Sequence, residues 1–167
     1  MADDHATLAT FADAWEAYQD RLTSALAPLT AGQLTLRAAP DLRSVGELAL
    51  HIVGCRMYWF IEFLGEDGGA EAKIFASWNK AALQAPGMGS PMPSAAELAK
   101  GLDHTWHIMA DCLDRWSPAD LQLTFPDEPV EVSRAWVVWH VLEHDLHHGG
   151  ELSLTLGMHG IRAGFAV

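Results

Sequence analysis

The sequence predicts an all-α fold, a four-helix bundle whose long connection between the second and third helices contains a short extra helix. Three observations lead there. Four segments repeat apolar residues at steps of three and four, as a helix packed on one face requires. Most of those segments open on a Ser or Thr with Glu or Gln three residues later, or on a lone Ser, which is how helix N-termini satisfy their free N–H groups. Half of the residues are hydrophobic and seven are tryptophan, enough to build one full core in a chain of 167 residues.

The first helix is expected over about residues 4 to 26, where Leu8, Phe11, Trp15, Tyr18, Leu22 and Leu26 fall on one face. Pro28, Thr30 and Gly32 end it, and Thr30 with Gln33 can cap a short turn. Ser44 and Glu47 form the capping box of a second helix that runs to about residue 64, before Gly65. Leu48, His51, Cys55, Tyr58, Trp59 and Glu62 share a face of it. From residue 66 to 93 the composition turns to Gly, Ala, Ser and Pro around Phe75, Trp78 and Leu83, read as one short helix inside a long connection.

Ser94 and Glu97 cap the third helix, with Leu98, Leu102, Trp106, Met109, Leu113 and Trp116 on its apolar face and Ser117-Pro118 as its stop. Residues 124 to 132 hold two prolines and alternate Val with Glu, so this stretch is extended or looped. Ser133 caps the fourth helix, which ends at Gly157; residues 158–167 form a tail of the single domain. A weak internal repeat runs through this order. A turn, a serine cap and a histidine seven residues later occur at Ser44/His51 and again at Ser133/His140. The repeat suggests an approximate two-fold in which helices 2 and 4 meet at the centre.

Charge excludes several classes of partner. Ten Lys and Arg against 22 Asp and Glu give a net charge of −12, a surface that repels phosphate backbones and anionic lipid. No apolar run approaches the roughly 20 residues of a membrane span, and Asp3 and Asp4 stand where a secretory signal carries base, so a cytoplasmic protein is expected. Cys55 and Cys112 form neither a disulfide framework nor a metal knuckle.

The chemistry concentrates in the fourth helix. His140, His144, His147 and His148 lie within nine consecutive residues, and together with Glu151 they share about a third of a helix circumference. Trp136, Val137 and Val141 border that stripe, which is therefore expected to look inward. Two imidazoles one turn apart make a rigid half-site for a divalent ion, and the spacing offers His140/His144 and His144/His148 equally. A third ligand must come from elsewhere, and His51 is the other histidine that its neighbours place inward. Three neutral imidazoles leave a coordination position open for water or substrate. Zinc or nickel suits such a set, and iron or manganese tolerates it. Glu151, one turn beyond His148, is the candidate carboxylate behind the ligands or general base. The run His140 to His144 also matches HxxEH of inverted zinc proteases, but Glu143 points about 60° away from the His140 direction.

Residues 44–59 and the run His144-Asp145-Leu146-His147-His148-Gly149-Gly150-Glu151 resemble the DinB/YfiT-like family of four-helix-bundle metalloproteins, and the resemblance covers most of the chain. In that family one histidine of the second helix and an HxxxH pair in the last long helix hold a divalent metal. The resemblance thus implies His51, His144 and His148, and favours this set over one containing His140. Gly149 stands where the family commonly has Arg, and Glu151 where it has Gln. Since the family includes thiol-dependent S-transferases and a mycothiol-dependent maleylpyruvate isomerase, the implied activity is a metal-dependent transferase or hydrolase using a small molecule, with a low-molecular-weight thiol as co-substrate. A non-catalytic metal-binding or stress-response small-molecule-binding protein is the alternative. Trp139, Leu142 and Leu146 lie off the histidine stripe, so helix 4 is apolar on two sides, and a homodimer is expected.

Overall fold

The computed structural model of the chain describes residues 4–69, 78 and 92–164. Four long helices carry the fold: α1 (Asp4–Leu26), α2 (Val45–Arg56, continued by a π-helical segment Met57–Phe63), α3 (Ala95–Arg115) and α4 (Arg134–Met158). Thr30, Ser44 and Ser94 each close the capping box expected of them, and the Ser133 hydroxyl accepts the Trp136 N–H at the start of α4. The Thr30 box starts a one-turn helix, Ala31–Leu34. Helix α2 packs along both α3 and α4, while α1 packs chiefly on α3. Of the short helix expected between residues 66 and 93, Trp78 is described, in helical backbone and half-buried against the core; Phe75 and Leu83 lie outside the described residues, as does the side chain of Leu8. Among the described residues no helix is long and apolar enough to cross a membrane.

Three expectations need correcting. The fold is not purely helical, because β1 (Thr124–Asp127) and β2 (Val130–Ser133) form an antiparallel ribbon that pairs Phe125 with Val132. Its alternation sends Val132 inward, to 8 % exposure, while Val130 stays in water. The single stripe read on α2 also fails. Nearly every side of this helix is buried up to Arg56, and the wider π turns that follow leave Tyr58 and Glu62 exposed while Met57 and Phe60 face the core. Finally, α4 runs past Gly157 to Met158 and ends in a Schellman turn. Gly160 adopts φ +75°, where a side chain would be strained, and the Ile161 N–H donates to the Leu156 carbonyl at 2.9 Å. The tail then folds back, burying Ala163 and packing Ile161 on the core.

The apolar interior divides into two clusters. One gathers Leu22, Leu48, Ile52, Leu98, Leu152 and Leu156. The other gathers Trp15, Phe60, Trp106, Met109, Val137 and Val141. Along each helix a polar side chain falls between residues of the two clusters: Gln19 on α1, Arg56 on α2, Thr105 on α3 and Asp145 on α4.

These four residues meet. The Arg56 guanidinium donates from Nη2 to Asp145 Oδ2 at 2.8 Å and from Nε to both Asp145 oxygens at 3.1 Å. Its Nη1 donates to Gln19 Oε1 at 2.8 Å and to the Leu102 carbonyl at 3.1 Å. Trp15 Nε1 donates to Asp145 Oδ2 at 2.9 Å. Both members of the ion pair have side chains with no exposed surface. Such a pair recovers its desolvation cost only when the remaining protons and lone pairs are satisfied, which is the arrangement here. None of this appears in the periodicity of the sequence. A single Arg inside the apolar run 48–64 and a single Asp among the histidines are the signals that were available.

Packing on α4 shows why Gly149 is glycine. A Cβ built there would collide with Tyr18 Oη and lie 3.0 Å from Leu22 Cδ2, whereas a Cβ on the exposed Gly150 meets nothing within 4 Å. Thermal melts should therefore separate the neighbours. Gly150→Ala should gain about 0.5–1 kcal/mol from reduced chain entropy, and Gly149→Ala should lose about 1–3 kcal/mol to overpacking; shifts of the same sign would contradict this packing. For the ion pair, urea unfolding of Arg56→Met should show a loss of about 3–5 kcal/mol, since the buried Asp145 carboxyl loses the partner that offsets its burial. The double variant with Asp145→Leu should recover part of that loss. A cost for Arg56→Met under about 1 kcal/mol, the value of an exposed pair, would show that the pair is not buried as described.

Candidate metal centre

His51 enters the interior from α2, two turns after its Ser44 cap, and His144 and His148 enter from α4, one turn apart. The packing of α2 on α4 brings the three rings together. Their centroids lie 4.7 Å apart for His51 and His144, 4.7 Å for His51 and His148, and 4.4 Å for His144 and His148. One nitrogen from each ring lies within 4.8 Å of the others. His51 Nε2 and His144 Nε2 are 3.1 Å apart. Two nitrogens each about 2.0–2.1 Å from a common ion stand roughly 3.0 Å apart at a right angle and roughly 3.4 Å apart at a tetrahedral one. The observed separation falls between those limits.

The rings are tuned toward the neutral form that donates a lone pair. Burial is the main cause of lowering the His51 pKa to about 4, with the Arg43 guanidinium and His148 adding to it. Burial depresses His144 further, helped by His148, His51 and His140. Burial also lowers His148, against the opposing pull of Glu151. Between facing neutral nitrogens at most one N–H can be shared. His144 turns Nε2 to His51, and its other ring nitrogen, Nδ1, is buried with no hydrogen-bond partner among the described residues. A divalent ion would engage three lone pairs that the protein leaves facing one another, so the donor set fits such an ion.

Glu151 sits behind this cluster. The His148 Nδ1–H donates to Glu151 Oε2 at 2.7 Å, which fixes the tautomer and leaves Nε2 as the lone-pair nitrogen. The other oxygen, Oε1, is 3.4 Å from Nε2 of the exposed His147. A cavity of about 410 Å³ opens beside His148 and Glu151, bounded by Arg43, Leu48 and Thr155.

The structure separates the two pairs that spacing left equal. His140 stacks on Trp136, with centroids 4.8 Å apart and planes 6° from parallel, and meets the edge of Trp59 at 5.1 Å. Its centroid stays 6.3 Å from that of His144, and it joins none of the ligand groupings among the described residues. Cys55 joins none either, and burial pushes its thiol up, so it remains protonated. The histidine stripe is half-buried rather than inward-facing; the deepest face of α4 is Val137, Val141, Asp145, Gly149 and Leu152. A side chain at position 149 would point at Tyr18 of α1, so the departure at Gly149 leaves the three imidazoles untouched. Three other histidines have local tasks: His104 contacts the Gly68 carbonyl at 3.2 Å, His107 the Asp103 carbonyl at 2.6 Å and His159 the Arg37 carbonyl at 3.0 Å.

Helices that converge three imidazoles from the second and last long segments define a class, and comparison with known proteins identifies it. The family model of the DinB superfamily matches residues 14–152, a span that includes all three histidines and Glu151, and the chain belongs to that superfamily. A crystal structure of a DinB-like protein from Bacillus cereus ATCC 10987 has the same fold, with a TM-score of 0.69 over 93% of this chain and 94% of that one at 18% identity. No curated protein sequence matches the chain.

Burial of the imidazoles has a pH signature in the metal-free protein. In the unfolded chain they protonate near the ordinary 6.5, but His51 in the folded chain only near 4. Below pH 6.5 the unfolded state therefore binds more protons, and folding stability falls as pH falls through that window. Urea unfolding in chelator at pH 7.5 to 4.5 should show this decline, and it should be shallower in a His51→Asn/His144→Asn variant. Parallel pH profiles for the two proteins would contradict the buried, neutral assignment.

Proposed function

We propose that the chain is a four-helix-bundle metalloprotein of one domain that holds a divalent ion on His51, His144 and His148 and acts as a metal-dependent transferase or hydrolase on a small molecule, with a low-molecular-weight thiol as co-substrate. The supporting observation is the convergence of three neutral imidazoles from two helices beside an open cavity. Zinc or nickel suits the nitrogen set best, and iron or manganese is tolerated. Bound there, such an ion supplies Lewis-acid chemistry that brings the pKa of a coordinated thiol or water down toward neutrality.

The protein's own groups divide the remaining work. Glu151 orients His148 through Oε2 and offers Oε1 to hold the proton that a thiol or water gives up. Trp59, Trp136 and His140 pack together as an aromatic group next to His144 and offer an apolar surface to the organic part of a substrate. A homodimer and a cytoplasmic location belong to the same proposal. The outward face of α4, with Trp139 60 % exposed and Leu146 and Leu154 also in solvent, is the surface that a second copy would cover.

Elemental analysis of protein purified without chelator tests the ligand set. About one divalent ion per chain is expected in the wild type and in His140→Ala, and a several-fold loss in His51→Ala and His144→Ala; full metal content in His144→Ala would overturn the assignment. For the reaction, a small thiol and an electrophilic acceptor should turn over with the metal-loaded protein and fall to background after chelation. Glu151→Gln should lose about 10–100-fold in metal affinity or activity, the usual effect of removing such a carboxylate. A variant with full metal content and full rate would remove Glu151 from its role.

A further inference from the structure

The cavity beside His148 carries a cation that makes no ion pair among the described residues. Residue 43 precedes the Ser44 cap of α2, and the segment leading to it is held firmly. Arg37 pairs with Glu47 at 2.7 Å, Arg37 and Ser44 form an isolated antiparallel bridge, and the Val45 N–H donates to the Leu36 carbonyl at 2.9 Å. Arg43 is half-buried and lines the cavity together with Asp41, Leu48, His148, Glu151 and Thr155. The arginines Arg37, Arg56 and Arg134 each have a carboxylate partner. Arg43 makes no ion pair among the described residues, although Asp41 and Glu151 line the same cavity.

Arg21 and Arg162, which also make no ion pair among the described residues, are exposed; Arg43 is the half-buried guanidinium left open, in a protein where 22 acidic side chains compete for 10 basic ones. Its planar fork matches a carboxylate through two parallel N–H···O bonds. Volume and charge narrow the ligand further. About 410 Å³ is at the small end of ligand pockets. The fork of Arg43 pairs with one carboxylate, while Asp41 and Glu151 on the same lining repel a dianion such as phosphate more than a monoanion.

We propose that Arg43 anchors the carboxylate of a small monoanionic substrate whose other end reaches the histidine cluster, so that the cavity selects carboxylate-bearing molecules over neutral ones of equal size. This rests on the metal-centre reading for the fate of the reacting end; the carboxylate contact itself does not. Two arms keep the failures apart. In the first, metal-loaded protein of measured metal content is titrated calorimetrically with 3-mercaptopropionate and with its neutral counterpart of equal size, 3-mercaptopropionamide. The wild type should favour the mercapto-acid by about tenfold, the value of a charge-assisted hydrogen-bond pair. Arg43→Met should bring that ratio close to one at unchanged metal content, and Arg43→Lys should restore part of it. In the second arm, propionate is added to metal-free protein and amide shifts are followed by NMR. Perturbations should appear around residues 38–48 and 148–155 in the wild type and vanish in Arg43→Met. A preference that survives in Arg43→Met, or a wild type without any preference and without propionate shifts, overturns the proposal. Propionate shifts in a wild type that takes up no metal would overturn the metal-centre reading and leave the carboxylate site standing.

Discussion

The buried pair of Arg56 and Asp145 is the constraint on which the rest of the structure depends. Two charges taken wholly out of water are tolerated only if geometry repays them, and here groups from all four long helices contribute to that repayment. Apolar side chains pack acceptably in several rotations of a helix, but a guanidinium fork accepts few. The pair therefore sets helix register more than it adds net stability. Its position gives that register a chemical consequence, since Asp145 follows His144 directly and Arg56 lies five residues after His51. Any rotation of α4 that separated the ion pair would also carry His144 and His148 away from α2.

Above that lock, the surroundings of the histidines do two things at once. Burial removes the water that would stabilise an imidazolium, so the rings stay neutral and keep their lone pairs. The same burial leaves one nitrogen of each ring facing the others, with the Nε2 atoms of His51 and His144 3.1 Å apart. Glu151 acts from the solvent side, where it fixes one ring through a hydrogen bond without adding a fourth buried group. Arg43 lines the same cavity as His148 and Glu151.

Local signals carried much of this. The capping boxes at Thr30, Ser44 and Ser94, and the apolar face of α3 from Leu98 to Trp116, are written in residue type and spacing, and the structure follows them. His51, read as inward from a stripe on α2 that the structure does not keep, is half-buried, and the packing of α2 on α4 is what brings its ring to His144 and His148. Other features depend on pairs far apart in the chain, and spacing along one helix says nothing about them. The Arg56–Asp145 contact joins residues 89 positions apart. The choice between His140 and His148 is similar in kind: both lie one turn from His144, and what separates them is the level at which α2 crosses, with Trp59 and Trp136 claiming His140. The π turns after Arg56 escaped because a uniform period was assumed for α2. The ribbon at Thr124–Ser133 was legible as extended chain, but its pairing was not.

The most direct trial is X-ray absorption at the edge of whichever metal copurifies with the protein. A first shell of three imidazole nitrogens at about 2.0–2.1 Å, with imidazole outer-shell scattering that weakens in His51→Ala, is the predicted result. A sulfur shell from Cys55, or a spectrum unchanged by removing the residue 51 ring, would contradict a centre built jointly by α2 and α4.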